Sequence, residues 1–295
     1  CVYTRDFGFI YFLSLLPKFL RPKIKIIFEM HIIYSNASIK VSKPTEKSAL
    51  TIPDYFIPIN NQIKKELIEE FYIDENRITV LSSGADVDFF SNVNCSTDFA
   101  HNKYDINNDN KIILYSGTFI KWKGVDTLIK SAQYIKNKHY KILLIGGTSP
   151  EKENMQLLID NLHLNSRIII DEFLAQKELI SILKTSDIAV IPNNTEEIGQ
   201  KYTSPLKLFE YLSCGLPLVC ADLPSMHDII VENDNALFFE PENPIDLANK
   251  IDFLLLNDNL QTSMRHKNAT LAREFSWTKR AKRIFNIIKN NYNAQ

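Results

Sequence analysis

The chain has 295 residues, of which 45% are hydrophobic and 23% charged, and its formal net charge at pH 7 is -1. This length favours two domains, and the balanced charge gives no global reason to expect a nucleic-acid partner. The four cysteines (Cys1, Cys95, Cys214 and Cys220) show neither C-x-x-C spacing nor a histidine cluster, so zinc and dithiol redox motifs find no support. Scattered free thiols favour a reducing, cytoplasmic compartment.

The first hundred residues predict a small α/β unit. Strand-like sequence opens the chain at 1–4 and recurs at 24–28, 55–58 and 77–81, and an amphipathic helix capped by Asn60 is predicted over 60–71. The apolar run at 8–16 is too short to span a bilayer and ends at Pro17. Because the chain begins with Cys1 and enters a strand directly, we expect it to start inside a fold.

Beyond residue 110 the pattern predicts a second α/β unit. Predicted strands at 111–115, 141–145, 167–170, 188–191, 216–219 and 236–239 alternate with helices, which indicates βαβ units and a mostly parallel sheet. Helical sequence then fills 244–292, with a break near 275–277. The polar segment 92–110 is the predicted hinge between the two domains.

One predicted helix begins where an anion could bind. Ser204 fits its N-cap, Pro205 fits the first helical position, and the N–H groups of Leu206 and Lys207 would lie in the positive first turn. A helix start that follows a strand and a loop is a ready anion site. Glu210, farther along the helix, could accept hydrogen bonds from a ribose diol. The alternative is an ordinary capped helix with a surface glutamate, and local sequence does not decide between the two.

A second candidate is the loop that follows the first strand of the second domain. Gly117 and Gly124 allow close backbone approach, and Lys123 can supply a positive charge to a diphosphate. The loop would leave the carboxyl end of its strand, where open α/β sheets bind ligands. By itself it could also be a solvated basic loop.

Taken together, these segments resemble the retaining glycosyltransferases of family four, the group 1 transferases of GT-B fold. The motifs of the second domain are Ser116-Gly117, Trp122-Lys123-Gly124-Val125-Asp126, Ser204-Pro205-Leu206-Lys207-Leu208-Phe209-Glu210-Tyr211 and Gly215-Leu216-Pro217. Further matches are Leu81 to Phe90, Tyr3-Thr4-Arg5-Asp6, Phe28-Glu29-Met30-His31 and Phe275-Ser276-Trp277. The resemblance covers essentially the whole chain.

The resemblance implies two Rossmann-like domains with parallel sheets facing a cleft, the first domain incomplete. It places a partial acceptor-side domain at 1–96, a nucleotide-sugar-binding domain at 97–274 and a helix crossing back at 275–295. The implied reaction moves a sugar from a nucleotide-diphosphate sugar to a glycan or lipid-linked acceptor with retention of configuration. It needs no cofactor and no obligatory metal.

The resemblance also assigns roles to individual residues. It places His31 beside the transferred sugar and Lys123 on the donor diphosphate, both as catalytic groups, with Glu210 on the ribose hydroxyls. The expected donor-binding residues are Gly117, Thr118, Lys123, Tyr202, Ser204, Pro205, Leu206, Lys207 and Glu210. By itself a lone histidine after a strand is more often structural than catalytic, and the resemblance reverses that order for His31.

Three departures from the family pattern stand out. Tyr202 replaces the first glutamate of the E-x7-E motif, and Glu196 and Glu197 lie nearby at the wrong spacing. Thr118 stands where many relatives carry a phosphate-binding arginine, which leaves Lys123, with Lys121, to compensate. The chain also lacks the opening strand, Gly-rich loop and further βα units of the first domain.

The expected setting is bacterial surface polysaccharide or lipopolysaccharide assembly in the cytoplasm, an inference from family habit. Lys18, Arg21, Lys23 and Lys25 among apolar neighbours would suit peripheral contact with the inner membrane, although a solvated helix-to-strand connection is the more common explanation of such a pattern. Two alternatives stay open. One is a truncated, non-catalytic remnant that at most binds nucleotide. The other, a nicotinamide-dependent oxidoreductase, is disfavoured because no G-x-G-x-x-G follows a strand.

Overall fold

The first sheet is small and fully parallel. In this computed structural model, which describes residues 1–37, 41–196, 201–202 and 204–292, strands β1 (Val2–Thr4), β2 (Ile26–Met30) and β3 (Tyr55–Pro58) lie in the order β1-β2-β3. All five residues of β2 are buried, as expected for the centre of a parallel sheet that is covered on both faces.

The second sheet has six parallel strands. They are β4 (Lys111–Ser116), β5 (Tyr140–Ile145), β6 (Ile168–Asp171), β7 (Ile188–Ile191), β8 (Leu218–Ala221) and β9 (Ala236–Phe239), in the order β6-β5-β4-β7-β8-β9. From β4 the chain builds outward on one side through β5 and β6, then returns to the other side with β7. The order therefore reverses between β4 and β7, and open α/β sheets bind ligands in the crevice at such a point.

Helices connect and cover the two sheets. Those around the first sheet and the hinge are Phe7–Leu15, Lys43–Ala49, Asn61–Glu69, Val87–Asn92 and Phe99–Tyr104. Those of the second part are Val125–Ser131, Ser149–Asn161, Gln176–Thr185, Leu206–Ser213, Pro224–His227, Pro244–Leu255, Asp258–Ala272 and Trp277–Tyr292. Asn60 caps its helix as predicted, because its side-chain oxygen accepts from the backbone N–H of Ile63 at 2.9 Å.

The Trp277–Tyr292 helix returns to the first sheet. Isoleucines spaced three and four residues apart form its apolar stripe, the spacing that puts side chains on one helix face. They pack against buried residues of the first sheet and its exit (Ile284, Ile287 and Ile288 against Ile27, Ile57 and Leu81). The C-terminal helix therefore ties the end of the chain to its beginning.

Three predicted elements differ from the structure. Segment 77–81 is not a strand: only the N–H groups of Thr79 and Leu81 bond to β3 carbonyls before the chain turns toward the second domain. Strand β8 starts at Leu218 rather than 216. The polar segment 92–110 contains the Phe99–Tyr104 helix, whose fully buried Ala100 donates its N–H to Thr185, so this part packs on the second domain. The domain limits at 96 and 274 and the hinge stay predictions.

Candidate functional site

A cleft of about 940 Å³ opens between the two sheets, at the point where the strand order reverses. Residues from the end of β2, the loop after β4, the 206–213 helix and the C-terminal helix line it. All ten sequence-predicted site residues line this one cleft: His31, Gly117, Thr118, Lys123, Tyr202, Ser204, Pro205, Leu206, Lys207 and Glu210. The structure therefore brings the predicted residues together, and their roles stay predictions.

Lys207 carries the strongest electrostatic signal of the site. Its side chain is buried, with the residue 7% exposed, and among the described residues its ammonium finds no hydrogen-bond partner. The Nζ atom lies 3.6 Å from the centroid of the Tyr115 ring, a cation–π contact that offsets part of the desolvation. Burial, and then the neighbouring charge of Lys123, hold the pKa of Lys207 well below its usual range, while Glu210 opposes them.

Two buried tyrosines fix the loop after β4 next to Lys207 by hydrogen bonds. The Tyr211 hydroxyl accepts from the backbone N–H of Ser116 at 2.8 Å, and the Tyr115 hydroxyl donates to the carbonyl of Thr118 at 2.7 Å. Gly117 has φ +133°, and a Cβ there would come within 3.0 Å of the Lys207 ammonium. Both values agree with the close approach expected at Gly117, because a side chain there would crowd the lysine.

Lys123 reaches the same cleft from a short helical turn. Gly124 ends that turn at φ +64°, and a Cβ there would overlap the carbonyl oxygen of Pro192, so the loop packs against the end of β7. The Lys123 ammonium lies 3.6 Å from the centroid of the Trp122 ring. Burial lowers the pKa of Lys123 to about 8.

Glu210 faces the cleft one turn beyond Lys207. Burial raises the pKa of Glu210, and the nearby Lys207 opposes that effect. Two lysines and one carboxylate thus share a partly desolvated site where their charges act on one another strongly.

The helix starts later than predicted. Pro205 occupies the N-cap position and the first helical residue is Leu206, so the prediction of Ser204 as N-cap was wrong. The Ser204 hydroxyl instead accepts from the backbone N–H of Ser83, at 3.0 Å. This long-range contact takes the hydroxyl away from the helix and links the donor-side helix to the exit of the first domain.

Tyr202 points into the first domain. Its ring is 5% exposed and packs within the core cluster of the first sheet, and its hydroxyl donates to the buried Glu66 at 2.7 Å. Next to it, the Asn60 side chain donates to the carbonyl of Lys201 at 2.8 Å. The residue that replaces the family glutamate therefore also joins the two domains. Of the nearby acidic residues, Glu196 pairs with Lys121 at 2.8 Å, and Glu197 lies outside the described residues.

His31 lies across the cleft on the first-domain side, half exposed at the end of β2. Its Nε2 is 2.6 Å from Oε1 of Glu29, and the other Glu29 oxygen is 2.9 Å from Nη2 of Arg280. Burial alone would raise the pKa of Glu29, but the hydrogen bond from His31 and the charge and hydrogen bond of Arg280 together lower it.

The sequence patterns assigned no role to Glu29, Arg280, Tyr115 or Tyr211. Glu29 and Tyr211 fall inside the motifs quoted above, so an apolar strand interrupted by one carboxylate was the available signal for Glu29. No local signal pairs Glu29 with Arg280, which is remote in sequence. Across the described ranges, no group of three or more His, Cys, Asp or Glu side chains is placed to hold a metal ion.

Comparison with known families decides the affiliation. The sequence profile of the family "Glycosyl transferases group 1" matches residues 96–271, more than half of the chain. The chain belongs to this family. The matched residues include the loop after β4 and the whole 206–213 helix. The part of the cleft that contains Lys123, Lys207 and Glu210 therefore lies within the region that matches the family.

Curated relatives and solved structures agree with this affiliation. A D-inositol 3-phosphate glycosyltransferase of Corynebacterium jeikeium is 26% identical over 256 residues, which cover 83% of this chain and 59% of the relative. An uncharacterized glycosyltransferase of Methanocaldococcus jannaschii is 26% identical over 236 residues, covering 79% of this chain and 58% of the relative. The chain thus spans less than two thirds of the length of these group 1 relatives.

The structural likenesses confirm the predicted GT-B fold. A glycosyltransferase from Rickettsia africae superposes with a TM-score of 0.79 at 21% identity, over 93% of this chain and 72% of that one. Anabaena HepE, solved in complex with UDP, gives a TM-score of 0.84 at 14% identity, over 98% of this chain and 78% of that one. Within the described part of this group 1 glycosyltransferase chain, no helix is both long and apolar enough to cross a bilayer.

Proposed function

We propose that this chain binds a nucleotide-diphosphate sugar and belongs to a retaining glycosyltransferase of family four. The observation that carries the proposal is the buried ammonium of Lys207, which has no hydrogen-bond partner in the part of the chain that the structure describes and faces the cleft beside Lys123 at the start of a helix. A buried cation without a partner costs free energy, and an anion that shares its site removes that cost. The solved UDP complex of Anabaena HepE, a protein of the same fold, supports a nucleotide as the source of the anion.

The donor diphosphate would lie between Lys123, Lys207 and the first turn of the 206–213 helix. Its negative charge grows as the sugar leaves, and positive groups that are already in place stabilise such a charge without reorganisation. Gly117 and Thr118 would bound this site from the β4 loop, Pro205 would line it without donating, and the backbone N–H groups around Ser204 and Leu206 would complete it. No metal and no cofactor is needed in this scheme.

Glu210 would accept hydrogen bonds from the ribose diol, and His31 would lie next to the transferred sugar. Tyr202 lines the cleft and would bound its sugar end in place of the family's glutamate. Because its hydroxyl is engaged by Glu66, the contacts to the donor sugar would differ from those of relatives that keep the carboxylate.

The acceptor would be a glycan or a lipid-linked sugar, and the setting bacterial surface polysaccharide assembly in the cytoplasm. The reaction is tested by incubating the protein with UDP- and GDP-sugars and following release of the nucleoside diphosphate, with the product anomer read by NMR. Turnover with retained configuration that Lys123→Ala abolishes supports the proposal. A chain that binds nucleotide and never releases sugar would instead be the non-catalytic remnant.

Peripheral contact with an anionic membrane is part of the proposal. Near the end of the Phe7–Leu15 helix, Phe19 is 85% exposed, and the side chains of Phe12, Leu15 and Leu20 are also exposed. Two basic residues of this region are engaged elsewhere, because Arg21 donates to helix carbonyls and Lys25 pairs with Asp54. Lys18 and Lys23 remain as the basic residues beside the apolar ones. This combination suits the interface of an anionic bilayer.

Flotation with phosphatidylglycerol-containing vesicles tests the membrane contact. The double substitution Phe19→Ser and Leu20→Ser should abolish co-flotation. The control Leu256→Ser alters a residue of the second part that is 81% exposed, and it should leave flotation unchanged. Equal flotation of both variants would refute the contact.

A further inference from the structure

Glu29 is a buried carboxylate that contacts two side chains, His31 just after β2 and Arg280 on the C-terminal helix. It is the penultimate residue of the central strand of the first sheet and is 7% exposed. Its Oε1 lies 2.6 Å from Nε2 of His31 and its Oε2 lies 2.9 Å from Nη2 of Arg280. Each carboxylate oxygen therefore has a different and identifiable partner.

Arg280 is held in place by the backbone at the exit of the first domain. Its Nε donates to the carbonyl of Ser82 at 3.0 Å, and its Nη2 also lies 3.4 Å from the carbonyl oxygen of Leu81. A guanidinium has only donors, so the Glu29 atom that faces it has to be an acceptor. Whatever side chain stands at position 29, the atom that faces Arg280 must therefore accept a hydrogen bond.

An ionised carboxylate has only acceptors, so the His31 atom that faces it has to donate. Nε2 of His31 then carries the proton, and in the neutral ring Nδ1 keeps its lone pair. No protein partner of Nδ1 is found in the described part of the chain, and His31 lines the cleft.

We propose that Glu29, held by Arg280, is a positioning residue that fixes His31 in the Nε2–H tautomer and so presents Nδ1 to the cleft as a hydrogen-bond acceptor. A sugar hydroxyl in the cleft would then donate to Nδ1. The tautomer follows from the geometry of these three side chains, whereas its consequence for turnover rests on the proposed function.

The substitution Glu29→Gln makes a sharp test because it keeps the shape and changes the hydrogen-bonding pattern. Arg280 can only donate, so it will take the amide oxygen of the new side chain, and the amide NH2 group will face His31. Nε2 of His31 must then accept, and the proton moves to Nδ1. The tautomer should therefore invert.

Tautomers are read from two-bond proton–nitrogen spectra of protein labelled with 15N-histidine, recorded at about pH 8.5, where histidine is neutral. Wild type should show His31 protonated at Nε2, and Glu29→Gln should show it protonated at Nδ1. The chain supplies a matched control, because His227 Nε2 lies 2.6 Å from Asp222 in an exposed pair with no arginine on that carboxylate among the described contacts. Asp222→Asn should leave His227 without an inversion.

A wild-type His31 that carries its proton on Nδ1, or a Glu29→Gln variant that keeps the wild-type tautomer, would overturn the proposal. If Glu29→Gln does not fold, two other spectra test the proposal. Wild type and Glu29→Asp both keep an acceptor at residue 29, so both should show His31 in the Nε2–H tautomer. The inverted tautomer should lower kcat by about 100-fold, while affinity for UDP stays unchanged. Failure of the wild-type protein to bind either UDP or GDP would refute the donor site and leave the tautomer result standing.

Discussion

At the scale of one residue, Lys207 should lower the stability of the free protein and strengthen its binding of a nucleotide. Its ammonium is buried against Tyr115 and has no hydrogen-bond partner within the described ranges, which is unfavourable in the free protein. Lys207→Met keeps the length of the side chain and removes the amine. We expect the free energy of unfolding to rise by about 1–3 kcal/mol. Urea denaturation measures this change.

The same substitution should weaken UDP binding by about 10- to 100-fold, the value of one charge-assisted hydrogen bond. Lys130→Met is the matched control, because Lys130 pairs with Asp126 on the solvent side of the neighbouring helix. A Lys207→Met variant that binds UDP as tightly as the control would show that the ammonium does not contact the donor.

Lys123 makes nucleotide binding depend on pH. Burial lowers the pKa of Lys123 to about 8, so its ammonium is charged below that pH and neutral above it. A diphosphate prefers the charged form, so affinity should be highest below the pKa and fall as the pH rises through it. Titrations of UDP between about pH 7 and pH 9 should show this fall.

Lys123→Arg separates this effect from other titrations, because a guanidinium stays charged across the whole range. The fall in affinity above the lysine pKa should shrink in this variant. An equally steep fall in both proteins would assign the pH dependence to another group.

At the scale of elements, the 206–213 helix shows what local sequence can and cannot predict. The Pro205 and Gly215 signals located the helix correctly to within one or two residues, since caps and breakers act locally. The role of Ser204 was wrong because its hydroxyl bonds to Ser83, a contact made only when the two domains meet. The prediction of a strand at 77–81 was wrong for a related reason. The chain turns into the domain junction there before it can form a full set of hydrogen bonds with β3.

Two substitutions of Tyr202 should differ in their effect on the free energy of unfolding. Tyr202→Glu restores the family motif in sequence, but it puts a second carboxylate beside the buried Glu66. Tyr202→Gln loses the same ring and keeps a donor for Glu66. The glutamate variant should therefore unfold at lower urea concentration, with a difference of about 2 kcal/mol. Equal stability of the two variants would mean that residue 202 does not face Glu66.

At the scale of the molecule, the exit of the first domain and the start of the C-terminal helix approach backbone to backbone. The N–H of Ala85 donates to Phe275 and the N–H of Trp277 donates to Ala85, both at 3.1 Å. A Cβ on Gly84 would overlap the carbonyl of Phe275. This close approach fixes the position of the Trp277–Tyr292 helix, which carries Arg280.

Gly84→Ala should therefore displace the C-terminal helix and lower the free energy of unfolding by about 1–3 kcal/mol. Amide hydrogen exchange over 277–292 should accelerate with it. Gly8→Ala is the control, because a Cβ there meets only the end of the Asp6 side chain. Unchanged exchange in Gly84→Ala would show that this junction does not hold the helix.

The sequence predicted two α/β units and most strand positions, because periodic burial is a local property. The ten site residues were proposed from motifs that resemble the family; the structure places all ten along one cleft, and their roles stay predictions. The sequence did not predict the pairing of Glu29 with Arg280 or the insertion of Tyr202 into the first domain. Both depend on contacts between segments remote in the chain, and their partners are fixed only once the two sheets face each other across the cleft.

Calorimetric titration with UDP and GDP tests the central claim, that a donor diphosphate and ribose bind at Lys123 and Glu210. We expect one of the two nucleotides to bind to the wild-type protein, and Lys123→Ala and Glu210→Ala each to weaken that binding by about 10-fold or more. Unchanged affinity in both variants would contradict the account.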